Sequence, residues 1–253
     1  MEKVTAIIPA RYGSTRFPGK PLALINGLPM IQHVCQRVAN AKMVDRVVVA
    51  TDDARIATVV DSFSGEVVMT RADHPTGTDR LAEVAEKIAS ELIVNVQGDE
   101  PLIDPRMVDQ AIAPLVENRQ LQMGTLASKI DQIDDFYNPN VVKVVKDQAG
   151  LALYFSRAPI PCPRDLNPDQ LANVFPQLGL LRHIGLYVYR RELLLEYPSW
   201  PKTPLEKLEN LEQLRALERG IKLYVAETEF SCHGVDTPAD LERVSSLISA
   251  QNQ

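Results

Sequence analysis

The chain has 253 residues, 45% of them hydrophobic and 24% charged, with a net charge of −6. That length allows one large α/β domain or two small ones, and the acidic balance, with no basic block beyond Arg190-Arg191, excludes a nucleic-acid surface. The sequence holds no 18-residue apolar span for membrane insertion, no apolar signal core near residue 1, and three separated cysteines (Cys35, Cys162, Cys232) that suit free thiols, so a cytoplasmic protein is expected.

Residues 4–8 form a first continuous apolar run, followed by Arg11-Tyr-Gly-Ser-Thr-Arg-Phe-Pro-Gly-Lys-Pro-Leu. Ile31, Val34, Cys35 and Val38 then recur at the spacing of one helix face. Further runs at 47–50, 66–69 and 92–96 predict strands. Between them lie a helix from Asp53 and a helix capped by Thr78 that reaches Ile88. Continuous rather than alternating apolar runs suit parallel strands covered on both faces. The alternation predicts an α/β fold with an open, doubly wound sheet.

After about Met123 the rhythm changes. Runs at 126–130, 141–145, 151–155 and 184–188 read as strands of an antiparallel insertion, and Pro159, Pro161, Pro163, Pro168 and Pro176 mark an irregular excursion between them. Leucines 205, 208, 211, 214 and 217 predict a helix over 205–219, stopped by Gly220 before a last strand at 221–226. Asp236 or Thr237 caps a final helix with Pro238 in its first turn. With no linker or repeat, residues 1–253 read as a single domain. It divides at about 1–122, an insertion at about 123–204, and a return to the main sheet at about 205–253.

Open α/β sheets bind ligands at the carboxyl ends of their strands. Polar clusters fall there three times, at residues 11–20, 51–53 and 97–100. In the first, Gly13 and Gly19 let the backbone approach a ligand, and Arg11, Arg16 and Lys20 suit a polyphosphate; a solvated basic loop is the alternative. Neither GxxxxGK[ST] nor GxGxxG is present. Asp99 after Gly98, and Asp236 after a later strand and turn, form the carboxylate pair that a Mg²⁺ with few protein ligands requires, or else cap a turn and a helix. The loop 74–80 offers hydroxyls, Gly77 and Arg80 to a base or ribose. A capping box competes, but Leu81 stands three residues after Thr78 where Glu or Gln is needed. His74 and His233 lack partners at zinc spacing, and no Gly-x-Ser-x-Gly elbow supplies a nucleophile.

Eight segments in this order resemble the 3-deoxy-manno-octulosonate cytidylyltransferase family, the CMP-Kdo synthetases of lipopolysaccharide biosynthesis. They are Ile8-Pro-Ala-Arg-Tyr-Gly-Ser-Thr-Arg-Phe-Pro-Gly-Lys-Pro-Leu, Val49-Ala-Thr-Asp-Asp, His74-Pro-Thr-Gly-Thr-Asp-Arg, Asn95-Val-Gln-Gly-Asp-Glu-Pro, Tyr154-Phe-Ser-Arg-Ala-Pro-Ile-Pro, His183-Ile-Gly-Leu-Tyr-Val-Tyr-Arg, Leu205-Glu-Lys-Leu-Glu-Asn-Leu-Glu-Gln-Leu-Arg and Gly234-Val-Asp-Thr-Pro-Ala-Asp-Leu. The likeness runs from about Lys3 to Arg243, and its one noted departure is Phe17, where the family often has Leu.

The resemblance implies a glycosyltransferase-A-like nucleotidyltransferase fold, a homodimer, and transfer of CMP from CTP to Kdo (3-deoxy-D-manno-octulosonate) with release of pyrophosphate. It implies that residues 1–122 bind nucleotide and that the insertion serves sugar binding and dimerisation. By the same resemblance, Arg11, Lys20, Asp99 and Asp236 are catalytic, the last two as Mg²⁺ ligands. Ala10, Arg11, Ser14, Lys20, Asp52, Thr76, Thr78, Arg80 and Gln97 would bind the nucleotide. Arg16, Gln97, Arg157, His183, Tyr187, Glu212 and Gln213 would bind the sugar acid. The rival readings are a sibling transferase for 8-amino-Kdo or a sialic acid, and a non-catalytic nucleotide sensor. Ser14-Thr15-Arg16, where sialic-acid relatives resemble Ser-Lys-Gly, argues against the sialic acid, and retention of both aspartates argues against the sensor.

Overall fold

The computed structural model describes residues 2–13, 17–231 and 234–251, and its first strand, β1 (Val4–Ala10), lies inside the main sheet. The strand is apolar throughout because it is covered on both faces. Ala6 and Ile8 point into one core and Ile7 into the other.

A 3₁₀ turn (Lys20–Leu22) and a small hairpin, β2 (Leu24–Ile25) with β3 (Leu28–Pro29), lead into α1 (Met30–Ala39). Its face of Ile31, Val34, Cys35 and Val38 is buried, as the spacing predicts. Next come β4 (Arg46–Thr51), α2 (Ala54–Ser62), β5 (Glu66–Met69), α3 (Gly77–Glu86), β6 (Leu92–Asn95) and α4 (Pro105–Glu117). Asp53 and Asp104 cap α2 and α4 by accepting the N–H two residues on. β4 and β6 flank β1 in parallel, and β5 pairs in parallel with β4.

The chain continues through β7 (Met123–Lys129), α5 (Ile133–Tyr137), β8 (Lys143–Lys146), β9 (Ala152–Ser156) and α6 (Pro168–Val174). It then forms β10 (Leu181–Arg190), α7 (Arg191–Glu196), α8 (Pro204–Glu209), α9 (Leu214–Glu218), β11 (Leu223–Glu227) and α10 (Pro238–Gln251). The main path of the sheet is β11-β7-β10-β6-β1-β4-β5, with β8 and β9 continuing antiparallel from β10. One core packs α1, α2 and α4 on one face of this sheet, and the other packs α3, α7 and α9 on the opposite face. The mostly parallel, doubly wound architecture with a smaller antiparallel part is thus present.

Three local expectations change. Strands β7 and β10, read from sequence as part of an insertion, pair within the main sheet: β10 is antiparallel to both β6 and β7, and β7 is parallel to β11. The helix expected over 205–219 is two helices. Asn210 adopts a left-handed conformation (φ 51°) after α8 and turns the chain, so Leu208 is left exposed. The cap of α3 is Thr76, not Thr78, and a capping box is present because Asp79 takes the place of Glu or Gln.

Candidate active site

The loop after β1 turns back sharply at Gly19, which has φ 70° and donates its N–H to Tyr12 O at 2.9 Å. The left-handed conformation favours glycine, and a Cβ there would also stand 3.1 Å from the Tyr12 ring, a tight contact. This turn delivers Lys20 to the ends of the central strands. Its Nζ lies 2.6 Å from Asp99 Oδ2 and 3.3 Å from Asp236 Oδ1. Asp99 is placed by Gly98, where a Cβ would stand 3.0 Å from the Pro9 carbonyl oxygen. Asp236 is placed by the start of α10, where Asp240 accepts from the Asp236 and Thr237 N–H groups and Thr237 caps.

Arg11 crosses to the loop of residues 74–80, and its Nη2 donates to His74 O at 2.6 Å and Thr76 O at 3.1 Å. Together these segments line an open cleft of ≈ 440 Å³ that includes Ala10, Arg11, Lys20, Thr76, Gln97 and Asp99. Three strand ends and the C-terminal helix start therefore converge around one space. Ser14 and Arg16 lie outside the described residues, as do Cys232 and His233.

Asp52, Thr78 and Arg80 stand behind this cleft rather than lining it. Arg80 is wholly buried, pairs with Asp52 at 3.0 Å, and donates to the Thr70 hydroxyl. Its Nε and Nη2 meet no hydrogen-bond partner among the described residues. Burial pulls the Arg80 pKa below its ordinary value, against the support of Asp52. The Thr78 hydroxyl donates to Glu212 at 3.2 Å, and Thr76 Oγ1 lies 3.2 Å from the same carboxylate. Burial raises the Glu212 pKa, opposed by the Arg215 charge and the threonine hydroxyls.

Glu212 thus joins the α8–α9 segment to the nucleotide-side loop. Tyr187 belongs to the same neighbourhood: burial first, then the charges of Tyr197 and Glu212, raise its pKa. The Tyr187 ring stands 5.3 Å from that of His183. Gln213 is buried, and its Nε2 meets no hydrogen-bond partner among the described residues.

His183 lines a second cavity of ≈ 360 Å³ with residues 140–142, Arg182, Gly185 and Glu100. Burial holds its imidazole down to about 3, so the ring is neutral at pH 7. A Thr125 hydroxyl 2.9 Å from its Nε2 fixes its orientation. Residues 97–100 connect the two cavities: Gln97 and Asp99 face the first, Glu100 faces the second, and Gln97 Nε2 reaches the Gly185 carbonyl at 3.4 Å.

Arg157 is placed differently from the sequence expectation. Its guanidinium donates to Glu209 O (2.7 Å), Pro139 O (3.0 Å) and Asn210 O (3.3 Å), closing the C-terminal end of α8. The sequence reading also passed over Glu209, whose carboxylate accepts from the Ser156 hydroxyl at 2.6 Å and from the Arg157 N–H at 2.9 Å. Glu209 carries no local signal that sets it apart from Glu206 and Glu212, the other carboxylates of residues 206–212. His74 is tied at 2.5 Å to Glu83, where hydrogen bonds from His74, Arg71 and Lys87 overcome burial and hold the carboxyl at about 2. Cys35 is a buried thiol pushed up to about 12 by burial, which fits no nucleophilic role.

A Mg²⁺ site can be judged on the donors present. Among the described residues no group of three or more His, Cys, Asp or Glu converges. Asp99 and Asp236 do both reach one cationic atom, so two hard anionic oxygens are already directed at a shared positive charge. That donor pair fits Mg²⁺, which keeps most of its shell for water and phosphate oxygens.

A model of the cytidylyltransferase family matches residues 5–223. A 3-deoxy-manno-octulosonate cytidylyltransferase of Syntrophotalea carbinolica is 60% identical over 241 residues, covering 95% of this chain and 96% of its own. One from Geobacter sulfurreducens is 60% identical over 243 residues, with 95% and 97% covered. Among solved structures, a CMP:2-keto-3-deoxy-manno-octonic acid synthetase complexed with CTP superposes with a TM-score of 0.91 at 43% identity, covering 98% of this chain and 99% of that one. A cytidylyltransferase of Leptospira borgpetersenii, at 18% identity and a TM-score of 0.65 with 99% and 88% covered, shares the fold.

Proposed function

The chain belongs to the 3-deoxy-manno-octulosonate cytidylyltransferase family, and we propose that it joins CTP to Kdo, giving CMP-Kdo and pyrophosphate for lipopolysaccharide biosynthesis. The observation that carries this reading is the cleft at the strand ends, which Arg11 and Lys20 line and where Lys20 meets both carboxylates of the Asp99–Asp236 pair.

In the reaction the sugar's anomeric hydroxyl oxygen attacks the α-phosphorus of CTP. The bond from that phosphorus to the bridging oxygen breaks, pyrophosphate leaves, and the hydroxyl proton passes to water. Catalysis of this kind rests on positioning and charge neutralisation. Arg11 holds the loop 74–76 against the cleft through its carbonyls and keeps the rest of its guanidinium for phosphate oxygens. Lys20, whose ammonium lines the cleft, would offset the charge that accumulates on the leaving pyrophosphate. The loop 74–80, with its hydroxyl-bearing Thr76 in the cleft and Arg80 fixed beneath it, reads the cytosine. Asp99 and Asp236 hold the Mg²⁺, which when bound lowers the pKa of the sugar hydroxyl and draws charge from the α-phosphate.

The cavity lined by His183 takes the sugar acid, because residues 97–100 place it beside Asp99. Neutral His183 serves there as a hydrogen-bonding group and not as a counter-charge. Gln97, Tyr187, Glu212, Gln213 and Arg16 would supply further sugar contacts, as the family resemblance implies, and Arg157 acts by holding the wall through Pro139 O. Among the described residues no helix is long and apolar enough to cross a membrane. A cytoplasmic homodimer completes the proposal, and its test is gel filtration with light scattering.

Pyrophosphate release measured with CTP and UTP across Kdo, 8-amino-Kdo and a sialic acid tests the assignment. Turnover is expected with CTP and Kdo. Equal turnover with UTP, or preference for another sugar acid, would replace it.

A further inference from the structure

Lys143 opens β8, in register with Arg182 of β10 on one side and Ser156 of β9 on the other. Its side chain is fully buried. An ammonium out of water is costly unless every N–H finds an acceptor. Here all three do: the carbonyl oxygens of Asn138 (2.9 Å), Val141 (2.7 Å) and Arg157 (2.8 Å). All three acceptors are main chain, so the lysine recognises the path of the backbone and not a particular side chain. The strand itself does not need it, since the neighbouring Val144 is buried and apolar.

What the ammonium adds is a tie between separate segments. It binds the turn at 138–141 to the exit of β9, where Arg157 holds Pro139 O from the other side and reaches α8 through Glu209 O. That turn runs into residues 140–142, one wall of the cavity shared with His183. The His183 N–H donates to Val142 O at 2.8 Å, so displacement of the wall is transmitted to the histidine.

We propose that Lys143 is a positioning residue for the sugar acid: through three main-chain carbonyls it fixes the 138–142 wall of the His183 cavity, without itself touching the substrate. This rests on the assignment of that cavity to the sugar acid made above. The consequence is selective. Among the described residues the nucleotide cleft is lined by 9–11, 13, 20–21, 75–77 and 97–99, while the three hydrogen bonds of Lys143 all go to residues 138, 141 and 157. Loosening the wall therefore weakens capture of the sugar acid and spares capture of CTP.

The full-length protein carrying Lys143→Met is compared with wild type by steady-state pyrophosphate release, varying each substrate in turn, and by amide hydrogen exchange without substrates. Loss of three charge-assisted hydrogen bonds is expected to raise the sugar KM about tenfold or more and to leave the CTP KM within about twofold. Exchange is expected to speed up in residues 138–142 and 156–158 and to stay unchanged in 92–98. If Lys143→Met does not fold, Lys143→Gln, which keeps two donors, carries the same comparison with about a threefold rise in sugar KM. An equal rise in both Michaelis constants, an unchanged sugar KM, or unchanged exchange at 138–142 would overturn the proposal. Should the wild-type protein fail to turn over Kdo, the substrate assignment falls, while the exchange data still judge the tie made by Lys143.

Discussion

Lys20→Met should separate the ion pairing the structure shows for this lysine from the catalytic role proposed for it. The ammonium is 14% exposed and reaches Asp99 at 2.6 Å and Asp236 at 3.3 Å. Without it, two carboxylate oxygens no more than about 6 Å apart face each other, repelling by about 0.7 kcal/mol at the dielectric of water and about 2.8 kcal/mol at an effective value near 20. The carboxylates are 33% and 52% exposed, which puts the cost near the lower figure. At about 1 kcal/mol, the metal-free variant should melt about 2–4 °C below wild type. Adding Mg²⁺ without nucleotide should raise the Tm more in the variant than in wild type, because the carboxylates no longer share an internal cation. Turnover should fall about 100-fold or more, about 2.7 kcal/mol of lost transition-state stabilisation. Thermal unfolding with and without Mg²⁺, with steady-state kinetics on the same preparations, measures each quantity. Identical melting and Mg²⁺ response in variant and wild type, or a change confined to the CTP KM, would refute this reasoning.

Asp99→Asn and Asp236→Asn are each expected to lower turnover about 100-fold at limiting Mg²⁺ and to weaken the Mg²⁺-induced rise in Tm; near-normal turnover in either variant withdraws that residue as a ligand. Arg157→Ala should cost about 2 kcal/mol of stability, read from the urea midpoint, because three carbonyl oxygens lose a charged donor. A raised sugar KM with unchanged stability would instead return Arg157 to direct substrate contact. His183 predicts an acid limb. Its folded pKa of about 3 lies below the ordinary 6.5, so between those values the unfolded chain binds one more proton and stability falls as pH falls. The slope from this group is at most about 1.4 kcal/mol per pH unit, and His183→Gln should flatten it in urea midpoints taken from pH 7 to 4. Parallel profiles for variant and wild type would show that the imidazole is not held neutral.

The part of the molecule legible in its sequence is the part where local chemistry and tertiary need agree. Strands β1, β4, β5 and β6 are short apolar runs because both faces are covered, and the polar segments after β1 and β6 lie on one cleft because parallel strands end on one side. That Arg11, Lys20, Gln97 and Asp99 share one cleft is legible in the sequence for that reason. What was not legible depends on partners distant in sequence. Arg80 reads as a ligand-facing cation, yet a residue at that position of α3 turns inward, where Asp52 waits 28 residues earlier. Arg157 reads as a sugar-carboxylate ligand until the left-handed Asn210 ends α8 beside it and presents carbonyls to its guanidinium. Lys143 had a signal, a lone charge inside Val141-Val-Lys-Val-Val, and such a charge in a buried strand must have acceptors. No sequence pattern says that those acceptors are carbonyls, since the backbone is the same at every residue. Arg157 and Lys143, whose partners are main-chain carbonyls, therefore take their places from the folded backbone alone, and together they fix the 138–142 wall of the His183 cavity.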